Sequence, residues 1–83
     1  MNKVKIADIL NEICEEKDYI VVNPKATNFL ELKLREDIGF DSFDLAQLTV
    51  MIEDEFDIEL NEKRLEDDIK NIKDLVEYLA EFD

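Results

Sequence analysis

The segment EDIGFDSFDLAQLTVMIEDEFDIEL, residues 36–60, decides how the chain folds. Winding residues 43–56 at about 100° per residue brings Leu45, Leu48, Thr49, Ile52 and Phe56 to one side, the spacing of an amphipathic helix with a core face. Phe43, Ala46 and Val50 fall on nearly the opposite side, beside Gln47, Glu53 and Asp54, so an apolar stripe is expected in solvent within an acidic frame. One exposed apolar residue needs no explanation. Here the stripe, the acidic rim and Ser42 meet at one end of one helix, which points to a docking surface for basic partners.

Outward from this segment, the same spacing recurs twice. Ile6, Ala7, Leu10, Ile13 and Cys14 follow the i, i+3, i+4, i+7 pattern and predict a first helix over residues 3–16. Ile72, Leu75, Val76, Leu79 and Phe82 predict a last one, with Asn71 as its N-cap and Asp74 completing a variant capping box. NEKRLED, residues 61–67, reads as a short helix or turn capped by Asn61. Between the first two helices, IVVNPKATNFLELKL offers two short apolar runs around Pro24, Ile20 to Val22 and the alternation Leu30, Leu32, Leu34. A lone two-stranded hairpin is marginal, so the expectation is a long ordered loop that lays Phe29, Leu32 or Leu34 across the helix ends.

Eighty-three residues make one domain, near the lower limit at which an apolar core folds without disulfides or metal, which argues against a large catalytic cleft. The chain is 46% apolar and 40% charged with a net charge of −13. Such a surface repels nucleic acid and anionic membrane and attracts basic protein patches. The charge is uneven: residues 1–40 hold 8 acids and 6 bases, net −2, whereas residues 41–83 hold 15 acids and 4 bases, net −11. Cys14 is the only cysteine, so no internal disulfide forms, and its place on an apolar helix face suits a small core residue. Neither a signal-peptide core nor an apolar run of membrane-spanning length is present, and the sequence reads as a cytoplasmic monomer. EDEFDIE is acid-rich but lacks the alternating ligands and central glycine of a calcium loop, so no metal site is expected.

Ser42 admits three chemistries. It is a good residue type for a helix N-cap. As a nucleophile it has no histidine to activate it, and Asp44 stands where a nucleophile elbow requires glycine, so an enzyme is not expected. As a substrate for modification it is well situated: the helix N-terminus favours a phosphodiester on its oxygen, and Gly39 permits a tight turn that exposes the hydroxyl. Asp37, Asp41 and Asp44 repel free anions there and make better sense as contacts for a basic enzyme that delivers the group.

These residues carry a resemblance. An acidic residue, a glycine, Asp-Ser-hydrophobic, a helix, and the acidic run EDEFDIEL resemble the acyl carrier proteins across residues 36–60, and the helix order and length are similar over all 83. The resemblance implies an all-α fold: a small four-helix bundle of three main helices and one short one, with a long loop between helices one and two. It implies one carrier domain over 1–83, and Ser42 modified with phosphopantetheine from coenzyme A by a phosphopantetheinyl transferase. The thiol of that arm then carries acyl intermediates as thioesters between enzymes of fatty acid or related biosynthesis. By position, Asp41 is the serine's neighbour in the family motif, and Asp44, Val50, Glu53 and Asp54 match positions that contact partners.

Several residues depart from the family pattern. Phe43 replaces a usual leucine, Phe40 stands where a smaller residue is common, Gln47 takes a position usually acidic, and the first loop is longer. A carrier dedicated to another pathway, a carrier of an aminoacyl group, and an unmodified acidic interaction module that binds through Phe43, Ala46 and Val50 remain the alternatives. Met51, near the edge of the core face, suits either a gap that shelters an acyl chain or ordinary packing.

Overall fold

The computed structural model describes residues 3–18 and 21–82. Four α-helices follow one another: α1 (Lys3–Lys17), α2 (Ser42–Phe56), α3 (Glu62–Asp67) and α4 (Ile72–Ala80). The long α1–α2 connection contains a 3₁₀ turn, Phe29–Glu31, and a π-helical turn, Leu34–Ile38. This is the all-α bundle of three longer helices and one short one that the resemblance implies, with the three longer helices where the apolar spacing predicts them, and no strand occurs among the described residues.

The core is built from the periodic positions. In α1, Ile6, Ala7, Leu10, Ile13 and Cys14 are buried as expected, and Ile9 joins them. In α2, Leu45, Leu48, Thr49 and Ile52 are buried, and Phe56 packs half-buried against the same core. Thr49 is tolerated because its hydroxyl donates to the Leu45 carbonyl at 2.9 Å, which leaves no buried donor unmet. Ile72, Leu75, Tyr78 and Leu79 are the buried residues of α4, and Leu65 alone is fully buried in α3. Phe82 departs from the expected pattern. The helix ends at Ala80, so its phase no longer aims Phe82 inward, and the ring is 41% exposed and meets Tyr78 edge-on at 5.7 Å.

Side-chain caps fix the short elements. Asn71 accepts from the Asp74 N–H at 2.8 Å, and Asp74 reaches back one residue beyond the cap to the Lys70 N–H at 3.1 Å. Asn61 caps α3 through the Arg64 N–H at 3.1 Å, while its own N–H donates to the Tyr78 hydroxyl at 3.1 Å and ties α3 to α4.

The α1–α2 connection is fastened at two places. Near its start, Asn11 of α1 clasps Val22 from both sides: its Oδ1 accepts from the Val22 N–H at 2.7 Å and its Nδ2 donates to the Val22 carbonyl at 3.0 Å. Farther on, Leu34 N–H donates to the Lys70 carbonyl and Ile72 N–H to the Leu32 carbonyl, both at 3.0 Å. The Leu30, Leu32, Leu34 alternation therefore yields one antiparallel bridge, Lys33 to Asn71, and then turns away. Phe29 and Leu34 are buried plugs and Leu32 is half-buried, whereas Ile20 of the other apolar run lies outside the described residues.

What turns the chain toward Ser42 is the π turn. Ile38 N–H donates to the Lys33 carbonyl at 3.1 Å, and the Leu34 carbonyl accepts from both Gly39 and Phe40, at 3.1 and 2.9 Å. Closing this wide turn needs a left-handed residue, and Gly39 supplies it with φ 102°. No atom lies within 4 Å of where a Cβ would sit, so the demand is torsional and not spatial. Ile38 and Phe40 are buried on either side of the glycine and anchor the turn, which delivers Ser42 to the surface.

Candidate functional site

Asp41, and not Ser42, is the N-cap of α2. Its Oδ1 accepts from the Asp44 N–H at 2.9 Å, while Asp44 Oδ2 accepts from the Asp41 N–H at 3.1 Å, a reciprocal capping box. Ser42 is thus the first residue inside the helix, exposed, and its side chain is released from the capping duty that the sequence allows it. Its Oγ accepts one hydrogen bond, from Arg35 Nη2 at 3.4 Å. The Asp44 N–H bond holds the Asp41 carboxyl below its ordinary value, and the nearby Lys17 charge pulls the same way. Two carboxylates thus answer the positive end of the α2 dipole.

Asp44 corrects an expectation. The family position puts it on the exposed recognition face, yet it is fully buried. The reason is local: a side chain reaching back to the cap backbone turns under the end of α1, where Lys17 covers it, with Nζ at 3.8 Å from Oδ1. The same ammonium stands 5.5 Å from the centroid of the Phe43 ring, a cation–π contact. The field around Ser42 is therefore not uniformly acidic. Lys17 from α1 and Arg35 from the π turn flank it, and neither is marked by spacing in the sequence.

The other predicted recognition residues divide. Phe43 is 71% exposed and Val50 56%, and Asp54 is exposed beside them. Ala46 is half-buried. Gln47 is half-buried and donates to Glu16 Oε2 of α1 at 3.2 Å. Glu53 also departs from the expected free rim: half-buried, its Oε2 accepts from the Leu60 N–H at 2.9 Å and fastens the link to α3. Of the acids near the serine, Asp37 accepts from the Lys33 N–H at 2.8 Å and braces the π turn. Met51 is half-buried and lines, with Gln47 and three glutamates of α1, a groove of about 430 Å³ between α1 and α2. Cys14 is buried, and burial followed by the Asp44 charge raises its thiol pKa, which keeps it protonated and inert.

Ser42 thus presents an exposed hydroxyl at the start of a helix, next to a guanidinium. The open surface and the adjacent cation suit a phosphate ester. Residues 5–79 match the family described as Phosphopantetheine attachment site. The chain is 33% identical over 79 residues to the acyl carrier protein of Syntrophobacter fumaroxidans, covering 94% of this chain and 86% of that one. With the acyl carrier protein of Campylobacter concisus it shares 32% identity over 72 residues, 87% of each chain. With the mitochondrial acyl carrier protein of Saccharomyces cerevisiae it shares 38% over 50 residues, 60% of this chain and 39% of that one. The chain belongs to the acyl carrier protein family, whose covalent phosphopantetheine supplies a thiol that holds acyl groups as thioesters. No helix among the described residues is long and apolar enough to cross a membrane.

Proposed function

We propose that Ser42 is the residue that carries the phosphopantetheine, and that the exposed end of α2 is where the modifying and acyl-transferring enzymes dock. One observation carries this: Asp41 takes over the cap, so the Ser42 hydroxyl is exposed at the first position of α2 with no backbone group to serve. Ser42 is also the chain's only serine. Its oxygen forms the ester bond to the phosphorus next to pantetheine as the pyrophosphate P–O bond of coenzyme A breaks and adenosine 3′,5′-bisphosphate leaves, and the base that removes the hydroxyl proton belongs to the transferase, since the chain has no histidine. Gly39 and the buried Phe40 hold the preceding turn clear of the hydroxyl.

The docking contacts assigned here are Phe43, Val50 and Asp54, with Ala46 and Gln47 at the margin. Support comes from exposure of two large apolar side chains on one helix face in a segment carrying most of the negative charge. Asp44 and Glu53 act by holding this face in shape, through the cap and through Leu60. The partners are enzymes with basic patches, the chain itself performs no catalysis, and it works as a monomer in the cytoplasm. The cargo is an acyl group of fatty acid or related biosynthesis.

Intact-mass measurement after incubation with coenzyme A and a phosphopantetheinyl transferase tests the attachment. The wild-type chain gains a single phosphopantetheine and Ser42→Ala gains none. Labelling of Ser42→Ala at the wild-type rate removes Ser42 as the site.

A further inference from the structure

Arg35 lies seven residues ahead of Ser42, and the π turn folds it back so that Nη2 reaches the Ser42 oxygen at 3.4 Å. The same nitrogen stands 3.6 Å from Glu66 Oε1 of α3. Both separations exceed the roughly 2.7–2.9 Å of a strong charge-assisted bond, so the guanidinium hangs between two acceptors and is gripped by neither. A hydroxyl is a weak partner for a cation. A phosphodiester on that hydroxyl sets charged oxygens two bonds beyond Oγ, within reach of a guanidinium fork that matches them in shape.

The surroundings single out this arginine. Lys17, the other cation nearby, is engaged with Asp44 and the Phe43 ring. The Asp44 N–H of the first turn of α2 is taken by the Asp41 carboxylate. Lys33 and Lys70 line a hollow of about 220 Å³ together with Arg35, Glu36, Glu66 and Ile69, so three of the chain's 10 bases share it with two acids in a molecule of net charge −13. Lys33 is paired with Glu36 at 3.2 Å, and among the three only Arg35 touches the serine.

We infer that Arg35 is a positioning residue for the prosthetic arm: its guanidinium binds the phosphodiester on Ser42 in competition with Glu66, and so sets the direction in which the arm leaves the bundle. This rests on Ser42 being the attachment site. Attachment draws Arg35 toward the phosphate and weakens its hold on α3.

The test compares wild type, Arg35→Gln, Arg35→Lys and Glu66→Gln, each loaded from coenzyme A, with the site of loading mapped by peptide mass before any other measurement. The readouts are the ³¹P resonance of the phosphodiester and the arginine side-chain N–H resonances. At low ionic strength the wild-type ³¹P resonance stands apart from that of Arg35→Gln, and the two converge at about 1 M salt, where screening acts over about 3 Å. Arg35→Lys falls between them, since it keeps the charge and loses the fork. Glu66→Gln, freed of the competitor, moves farther from Arg35→Gln than wild type does. Coincident ³¹P resonances in loaded wild type and Arg35→Gln, or no displacement in Glu66→Gln, overturn the role of Arg35 and leave the attachment at Ser42 standing. Loading at another residue overturns both. Should Arg35→Gln load poorly, Arg35→Lys and Glu66→Gln against wild type decide the matter by the same shifts.

Discussion

Asp44 serves two partners at once, the Asp41 N–H at 3.1 Å and the Lys17 ammonium at 3.8 Å, from a fully buried position. Asp44→Ala strips an acceptor from the cap backbone and leaves Lys17 without its carboxylate, a loss of about 1–3 kcal/mol. In a domain of this size that lowers the melting temperature by about 4–8 °C per kcal/mol. Asp54→Lys, at an exposed position on the same helix, stays within about 0.5 kcal/mol of wild type. Thermal melts followed by circular dichroism separate the two, and equal effects would show that Asp44 is not the buried strut seen here. The sequence singles out Ser42 as the candidate, because a lone serine before an amphipathic run, with no histidine, leaves few chemistries. It does not reveal Asp44's burial. A helical wheel places residues relative to one helix axis, and what covers Asp44 is the end of a different helix.

The helices were readable from spacing because each contributes a full apolar face: Ile6 to Cys14 in α1, Leu45 to Ile52 in α2, Ile72 to Leu79 in α4. The caps of α3 and α4 were readable too, since Asn61 and Asn71 are short polar side chains standing just before those helices. The π turn over Leu34–Ile38 has no such signature. Five residues bonded in a wide i to i+5 pattern leave no period to detect, so the return of Arg35 to Ser42 stays hidden in the sequence. Gly39 is the visible trace of that turn, and its substitution tests it. Gly39→Ala meets no steric obstacle, so its cost is that of forcing a side chain to φ 102°, about 1–2 kcal/mol. The chain stays folded with a lower melting temperature, and loading by the transferase slows because the turn presenting Ser42 relaxes. An unchanged melting temperature in Gly39→Ala would mean that the turn does not need its left-handed residue.

Taken whole, the molecule places a net −11 in residues 41–83, and self-repulsion there opposes compactness. Its melting temperature therefore rises as salt goes from about 10 mM to about 0.5 M and the screening length shrinks from about 30 Å to a few ångström. Association with a basic partner enzyme moves the other way and slows over the same range. Calorimetric scans and stopped-flow association across one salt series check both signs, and a melting temperature that falls with salt would indicate that ion pairs such as Arg64–Glu81 outweigh the repulsion. Charge asymmetry was the most legible global property, since it needs only counting. How the two halves are stitched was not, because two of the stitches are main-chain bonds that no side chain announces. The bond from Leu34 to the Lys70 carbonyl, with its companion from Ile72 to Leu32, ties the turn that precedes Ser42 to the start of the last helix. The approach to Ser42 thus takes its bearings from the far end of the polypeptide, and whatever nudges that end is relayed to the start of α2.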